Sequence, residues 1–436
     1  MSILTSLFTG VTGLNAYGTG LSVVGNNIAN LDTIGFKSGD VSFADVISQS
    51  LAGATDSSQV GLGVYVNGVL TQFGQGSFQT TSNALDLAID GNGFFSVKDG
   101  SGAIFYTRNG TFNLDQAGNV TTPEGAILQG YLADATGNLT GQIGDLNVGT
   151  TTFPPLPTSN VNLVANVDSS DSVIGAPFDV NNPSTTSNFS TSMTVYDSLG
   201  NGHLISVYFQ KTAEAPTGNT WNYYAVVNGS DSFSGNAEVQ AQGTLTFTSS
   251  GALDTESAVT YPLASGGFDF NGGATQGQVI AFDFGNSITT DGGTGLDGLT
   301  QFSSPSAVLQ QIQDGYASGT LQSVSVGNDG IISGLFTNGK NRPLGQVALV
   351  RFNAPEGLVH MGDNLFSSTA DSGQPIIGQA NAAGMGKVQS DSLEQSNVDL
   401  GQEFVNMIQY QRGFQANSRV ITVADAMLQE LVNIIR

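Results

Sequence analysis

The sequence predicts a mainly β protein with an α-helix at each end, arranged as nested domains. Three observations support this prediction. Apolar residues recur every seven positions at both chain ends, which is typical of helices that pack along one stripe. Between the ends, short β-branched and aromatic runs alternate with turn signals, as in a succession of strands. A proline-rich run at residues 153–157 divides this β region, so an outer β-domain is expected within an inner one.

The N-terminal segment predicts the first helix, within residues 1–31. One face carries Leu7, Leu14, Leu21 and Ile28, which stand seven residues apart. The same segment contains several glycines, each of which costs roughly 1 kcal/mol relative to alanine in a helix interior: Gly10, Gly13, Gly18, Gly20 and Gly25. Such a helix should be unstable alone, so we expect it to order against a partner.

The C-terminal segment, residues 397–436, predicts the second helix. Ser396, Asn397 and Asp399 are candidate N-cap residues just before it. Its apolar stripe shares the seven-residue spacing, with Phe404 in a companion register: Leu400, Phe404, Met407, Phe414, Ile421, Leu428 and Ile435. We expect the two helices to pair as a coiled coil and to act together in polymerisation.

The remaining boundaries follow from turn signals and composition. An extended connector is predicted at residues 32–72 and a return connector at 373–396. Between them, the inner β-domain is predicted in two parts, 73–150 and 300–372, with the outer β-domain inserted at 151–299. The Gly-, Thr- and Asp-rich run at 285–298 marks the expected end of the outer domain. Whether the outer region is one β-domain or two stays open.

Three dipeptides predict hairpin turns. Asn67-Gly68 follows the apolar run at 64–66, Asp99-Gly100 follows the run at 94–97, and Asn109-Gly110 follows residues 106–108. Asn-Gly and Asp-Gly favour the positive φ angles that two-residue hairpins require.

Charge and cysteine content exclude several classes of function. The net charge is −24, and Lys211 is the only lysine or arginine between Arg108 and Lys340. A nucleic-acid-binding protein needs a basic face, so none is expected here. With no cysteine, thiol nucleophiles and thiolate metal sites are absent. The N-terminus has no basic region followed by a continuous apolar run, so no conventional signal peptide is expected, and no segment predicts membrane insertion.

No residue pattern predicts catalysis, a cofactor or a metal site. His203 and His360 lack neighbouring ligands at metal-binding spacing. Asp86 and Asp90 are close enough in sequence to form the carboxylate pair of a secreted carbohydrate-cleaving enzyme, which is the alternative from a different class. We favour a simpler interpretation, in which alternation along a strand places both aspartates on a solvated face.

Two long motifs resemble the bacterial flagellar rod and hook proteins. Residues 23–37 are similar to the N-terminal signature of that family, through Asn26, Asn27, Ala29, Asn30, Thr33, Gly35 and Phe36. Residues 396–400 and 409–417 are similar to its C-terminal signature. Residues 85–95 and 106–110 resemble segments shared by rod and hook members, and residues 195–203 and 431–436 resemble hook members in particular.

The resemblance implies a structural subunit of the flagellar hook, which polymerises into a flexible helical tube that couples rod to filament and transmits torque. The alternative is a distal rod subunit. The implied partners are further copies of the chain, the rod protein, the hook cap, the hook-filament junction proteins and the flagellar export apparatus. The implied location is the extracellular hook and basal body, reached by type III export without a cleaved signal peptide.

Overall fold

The computed structural model describes residues 3–47, 49–50, 59–134, 136–149 and 152–434. The fold is mainly β, with an α-helix at each end of the chain and the two helices packed together, as predicted. The chain forms two compact units. The first comprises Met1–Thr151, Leu321–Leu335 and Lys340–Arg436, and the second comprises Thr152–Thr320 and Phe336–Gly339. No helix among the described residues combines the length and apolarity needed to cross a bilayer.

The first helix and the strands that follow it build the N-terminal part of the first unit. In chain order they are α1 (Ile3–Ala29), β1 (Gly39–Asp45), β2 (Gln49–Ser50), β3 (Gln59–Val60), β4 (Val64–Thr71), β5 (Phe78–Thr80), β6 (Leu87–Asp90), β7 (Phe94–Lys98), β8 (Ile104–Thr107), β9 (Asn113–Leu114), β10 (Val120–Thr121), β11 (Ile127–Ala133) and β12 (Leu139–Asp145).

The second unit is built almost entirely from one continuous stretch of chain. Its elements are β13 (Asn160–Asp168), α2 (Pro183–Thr186), β14 (Phe189–Tyr196), β15 (Gly202–Ala215), β16 (Gly218–Val227), β17 (Glu238–Phe247), β18 (Leu253–Glu256), β19 (Ala281–Asp283), α3 (Ile288–Asp291), β20 (Thr300–Phe302) and β21 (Ala307–Gln313).

The chain then returns to the first unit and ends in the long second helix. These elements are β22 (Leu321–Val326), β23 (Ile331–Phe336), β24 (Asn341–Arg351), a 3-10 turn (Pro355–Gly357), β25 (Val359–Gly362), β26 (Leu365–Ser367), β27 (Ile376–Gln379), β28 (Lys387–Ser390), β29 (Ser392–Glu394) and α4 (Leu400–Ile434).

The inner β-domain is organised around β24. This strand is buried along most of its length and pairs with β23, β11, β7 and β27. Because β24 and β27 come late in the chain whereas β7 and β11 come early, the sheet closes only when the two halves meet. An aromatic cluster lies on this sheet and includes Phe94, Tyr106, Phe352 and Phe366.

The outer unit packs two sheets around a single core. A five-stranded antiparallel sheet runs β14-β15-β16-β17-β18, and a second sheet places β13 beside β19, β20 and β21. Fully buried aromatic residues fill this core, including Phe209 and Trp221 of the five-stranded sheet and Phe268 and Phe284 of the segments between strands. The outer region therefore forms one compact unit, whereas the sequence left open whether it contains one β-domain or two.

The outer unit extends past the expected boundary at residue 299. Thr300–Phe302 pairs in parallel with β13, and Ala307–Gln313 pairs with β13 on its other side. Leu299 lies in the core, so the run at 285–298 is a turn within the unit and not its exit. The linker prediction for this run is wrong because a Gly-rich surface turn and an interdomain linker have the same composition.

The connector and two hairpins also differ from the prediction. Residues 32–72, expected to be an extended connector, contain the antiparallel pair β1–β4. The Asn67-Gly68 turn prediction is wrong, because both residues lie inside β4, where Gly68 faces Ser42 beside a β-bulge. The hairpin predicted at Asp99-Gly100 is present between β7 and β8, but its loop spans residues 99–103 and the positive φ is at Gly102. The hairpin prediction at Asn109-Gly110 is wrong, because the flanking strands β8 and β9 do not pair with each other.

Candidate assembly surface on the terminal helices

The helices α1 and α4 pack along a line of small and polar residues that we call the seam. On α1 the seam comprises the buried residues Gly10, Gly13, Ala16, Gly20, Val24 and Asn27. On α4 it comprises residues seven apart, namely Glu403, Tyr410, Asn417 and Ala424. Seven-residue spacing keeps a stripe facing a partner helix, so the seam has the periodicity of a coiled coil with unusual residues.

Glycines bring the two helices close together. A Cβ atom on Gly13 would lie 2.6 Å from Oδ1 of Asn417, and one on Gly20 would lie 3.0 Å from the ring of Tyr410. A glycine of α4 has the same role, because a Cβ on Gly413 would lie 2.7 Å from the ring of Tyr17 on α1. Three of the five glycines that weaken α1 as an isolated helix, Gly10, Gly13 and Gly20, are thus positions at which α4 packs closely against it.

The predicted apolar stripes flank the seam instead of forming its centre. On α1, Leu7, Leu14, Leu21 and Ile28 are all half-buried. On α4, Met407, Phe414, Ile421 and Leu428 are half-buried, whereas Leu400 and Phe404 are 37% and 49% exposed. Ile435 lies outside the described residues. A search for large apolar residues finds the helices but misses the seam, since glycine, asparagine and glutamate carry no apolar signal.

The outer faces of both helices expose large apolar side chains. Phe8 is 64% exposed on α1, and Met427 is 54% exposed on α4. The others on the two helices that are more than a third exposed are Leu4, Val11, Leu400, Phe404, Val405, Ile408, Val420, Val423, Leu431 and Val432. A cleft of about 360 Å³ opens among Ser6, Val423 and Met427. Soluble monomers rarely expose apolar surface this continuous, so these faces suit a protein interface.

The α4 N-terminus is fixed by a side-chain cap. Asp399 Oδ1 accepts hydrogen bonds from the backbone N–H groups of Gly401 (2.8 Å) and Gln402 (3.1 Å). Among the three candidates, Asp399 therefore caps the helix. Asn397 has another task, because its side chain bonds the backbone of Ser38, Gln72 and Gly74. This joins the start of α4 to the connector.

The signature residues that follow α1 form a tight turn. Asn30 donates to Asn26 O at 2.9 Å, and Thr33 donates to Asn30 Oδ1 at 3.1 Å. Gly35 adopts a φ of 70°, and a Cβ there would lie 2.6 Å from Asn109 N, so only glycine fits. The half-buried Phe36 continues the turn, while Asn26 and Ala29 are exposed.

Asn27 connects this turn to α4. Its side chain is 1% exposed, donates to Gly39 O at 2.8 Å and accepts from Gly39 N at 3.0 Å. It also donates to Glu403 Oε1 at 3.1 Å. One residue therefore bonds the end of α1, the start of β1 and the first turn of α4.

A buried ionic group lies just beyond this junction. Glu394 Oε1 accepts from Lys37 Nζ at 2.7 Å, and Glu394 Oε2 accepts from Arg108 Nη1 at 3.1 Å. Both cations also donate to backbone carbonyls, among them Gly74 O and Gly91 O. Burial lowers the pKa of Lys37 and of Arg108, and the Glu394 carboxylate opposes that shift. No local sequence pattern predicts this group, because its members are far apart along the chain.

The residues considered for chemistry have structural partners. Asp86 is buried, not solvated, and accepts from Asn83 at 3.1 Å, while Asp90 pairs with Lys387 at 3.1 Å. The solvated-face prediction is wrong for Asp86 because the Leu85–Ile89 segment is covered on both sides. His203 is not solitary, since it lies 2.9 Å from Asp197 and stacks on Phe270. Across the described residues, no group of three or more potential ligands is arranged to hold a metal.

Family models match most of the chain. In chain order they are described as a flagella basal body rod protein (residues 7–37), the D1 domain of flagellar hook protein FlgE/F/G (88–170), the D2 domain of flagellar basal body protein FlaE (162–316) and the C-terminal region of flagellar basal body rod FlgEFG protein (389–434).

Full-length relatives give the same result. The chain is 38% identical to the flagellar hook protein FlgE of Borreliella burgdorferi, over 99% of this chain and 100% of that protein. It is 36% identical to FlgE of Salmonella typhimurium, over 97% of this chain and 98% of that one. The crystal structure of Helicobacter pylori FlgE2 aligns with 71% of this chain and 99% of that chain, at 14% identity and a TM-score of 0.48.

Proposed function

The chain belongs to the flagellar hook protein family, and we propose that its terminal helices polymerise it into the tube of the hook. The family accounts for the mainly β fold with paired terminal helices. It makes the chain a structural subunit of the flagellum that assembles with copies of itself.

The observation that carries the proposal is the apolar outer surface of α1 and α4. Between them the helices bury glycines, asparagines and a glutamate, and they leave Phe8, Val423 and Met427 uncovered. An ordinary soluble helix pair does the reverse and hides its largest apolar residues. Neighbouring subunits that covered these side chains would gain about 25 cal/mol for each Å² of apolar area buried.

The uncharged surface of α1 supports the same proposal. The helix contains no charged residue from Ile3 to Ala29. A helix with neither charge nor a continuous large apolar core face gains little from folding in an isolated subunit. We propose that α1 and α4 are largely unfolded in the free subunit and order as it joins the tube.

The finer features of the function are proposals of the same kind. We propose that the chain is not an enzyme, that it reaches the flagellum by type III export without a cleaved signal peptide, and that it contacts the rod protein, the hook cap and the hook-filament junction proteins. An assembly-coupled helix pair suits a chain that passes unfolded through a narrow channel. Torque transmission then requires a polymer that bends as it turns.

Paired substitutions test the assembly surface. Phe8→Ser and Met427→Ser should raise the protein concentration needed for polymerisation several-fold, because each removes apolar area that neighbours would cover. The matched control is Gln415→Ser, an exposed polar residue on α4. Thermal unfolding of the β-domains should be the same for all three. Polymerisation of both apolar variants at the wild-type concentration would refute the proposal.

The distal rod subunit remains the alternative, and the shape of the polymer separates the two. A hook bends, whereas a rod is straight and stiff. Electron microscopy of the purified polymer should show curved or supercoiled tubes. Uniformly straight tubes would favour the rod alternative.

A further inference from the structure

A polar cleft lies where α1, α4 and β1 meet. It has a volume of about 330 Å³ and is lined by Val24, Asp40, Gln72, Glu403, Asn406 and Tyr410, among others. It therefore contains two carboxylates, and no lysine or arginine lines it. All of its lining residues belong to the first unit.

Glu403 is incompletely satisfied in this cleft. The residue is 8% exposed, and Oε1 accepts the hydrogen bond from Asn27. Oε2 is fully buried and accepts no hydrogen bond of good geometry from any described residue. Burying a carboxylate oxygen without a partner costs free energy, and ionised groups cost the most.

The electrostatic surroundings of Glu403 increase this cost. Burial raises the pKa of its carboxyl group, and the negative charges of Asp40 and Asp399 raise it further, against the hydrogen bond from Asn27 and the nearby amide of Asn406. Once α1 and α4 are paired, the cleft therefore suits a positive group, and none of its own lining residues supplies one.

The helix α4 carries a candidate cation on another face. Arg412 and Arg419 are the only basic residues of α4, and both are exposed. Neither forms an ion pair within the described part of the chain. Arg419 borders the apolar cleft with Val420 and Met427, where its aliphatic stem has neighbours. Arg412 lines none of the described clefts.

Helix geometry prevents Arg412 from filling the cleft of its own chain. Nine residues separate it from Glu403, which is about two and a half turns and places the two on opposite sides of α4. They are also about 13 Å apart along the axis, at ~1.5 Å per residue. The carboxylate and the guanidinium can meet only between two copies.

We propose that Arg412 of one subunit inserts its guanidinium into the cleft of a second copy, where it binds Glu403 and Asp40. This inference rests on the proposed function, because it identifies a contact within the polymer. A planar guanidinium suits the site, since it can donate to the carboxylates of Glu403 and Asp40 from one fork. The contact is heterologous: each added subunit leaves one cleft and one arginine free, so it propagates an open helical polymer instead of closing a dimer.

A double-mutant cycle on the full chain tests the contact. The critical concentration for polymerisation is measured for the wild type, Glu403→Gln, Arg412→Gln and the double variant. Each single change should raise it roughly tenfold, the effect of losing about 1.4 kcal/mol. The double variant should match the single variants, because the second change removes a contact that is already lost. A double variant near a hundredfold would show independent effects and overturn the proposal.

Three controls keep the test decisive. Arg419→Gln combined with Glu403→Gln should give additive effects, and coupling there instead would identify the wrong arginine. If Glu403→Gln perturbs the subunit spectrum, Asp40→Asn takes its place in the cycle, because Asp40 is exposed. A chelator should leave polymerisation unchanged, and chelator sensitivity with a normal Arg412→Gln variant would make the cleft a cation site.

The outcome also separates this proposal from the proposed function. Failure of the wild-type chain to polymerise at any concentration would refute both the proposed function and the arginine contact. Normal wild-type tubes together with wild-type behaviour of Arg412→Gln would remove only the arginine contact.

Discussion

Gly13 of α1 lies directly against Asn417 of α4, so closely that a Cβ atom on the glycine would be 2.6 Å from the asparagine Oδ1. Asn417 is in turn held by its own hydrogen bond to Gly413 O at 2.8 Å. The asparagine cannot move away without breaking that bond. At this point the close packing of the two helices therefore depends on a missing side chain.

The seam predicts opposite effects for two glycine-to-alanine changes. Gly13→Ala should weaken the pairing of the helices, because its Cβ meets Asn417. Gly18→Ala is the matched control, since nothing lies within 4 Å of its Cβ and alanine should stabilise the helix by about 1 kcal/mol. The measurement is the temperature at which the polymer dissociates. Equal midpoints for both variants would show that the seam does not set stability.

The cap on α4 predicts a second pair of variants. Asp399→Ala should destabilise the helix by about 1 kcal/mol, because two backbone N–H groups lose their acceptor. Asp399→Asn should retain most of the stability, since asparagine is an equally good N-cap. Helix content during polymer melting, followed by circular dichroism, would distinguish them. An alanine variant that melts like the asparagine variant would argue against the cap.

The buried ionic group predicts a large loss of stability. Glu394→Gln leaves Lys37 and Arg108 buried without a counter-charge, and breaking a buried pair costs roughly 3–5 kcal/mol. The control is Lys387→Gln, whose pair with Asp90 is about half exposed and should contribute less than about 1 kcal/mol. Urea unfolding gives both values. Similar losses would mean that burial does not strengthen the group.

The outer unit predicts a dependence on pH through Glu256. Burial, reinforced by Asp291 and Asp283, raises the pKa of its carboxyl from 4.5 to about 7. The folded unit therefore binds the proton more tightly than the unfolded chain does. Its contribution to stability is full below pH 4.5 and falls as pH rises to about 7.

Glu256→Gln should remove this dependence. Between pH 5 and pH 8 the wild type should lose unfolding free energy relative to the variant, which should be the more stable of the two at pH 8. Urea unfolding at each pH measures the difference. Parallel profiles for the two proteins would show that the side chain is solvated.

The sequence predicted the fold better than it predicted the contacts. Strands such as β14 and β24 can be predicted because alternation and β-branching are local signals. The seam was not readable in the same way. The fit between α1 and α4 depends on the absence of a side chain at Gly13 and Gly20. Helix propensity registers these glycines only as destabilising residues.

Polar residues show the same limit at the helix junction. Asn27 belonged to a recognisable motif, but its bonds to Gly39 and Glu403 depend on chain segments brought together by folding. Asp86 illustrates the reverse error, since alternation predicted a wet face that tertiary packing covers. The sequence pattern identifies helices and strands, whereas the burial of a polar side chain depends on which other segments pack against it.

The most direct test of the central claim, that the terminal helices drive assembly, is electron microscopy of the full chain beside a chain lacking residues 1–29. The full chain should form tubes, and the shortened chain should sediment as a monomer with intact β-sheet circular dichroism. Removing the residues after Leu400 should have the same effect. Tubes of normal diameter from either shortened chain would contradict the assignment of α1 and α4 as the assembly surface.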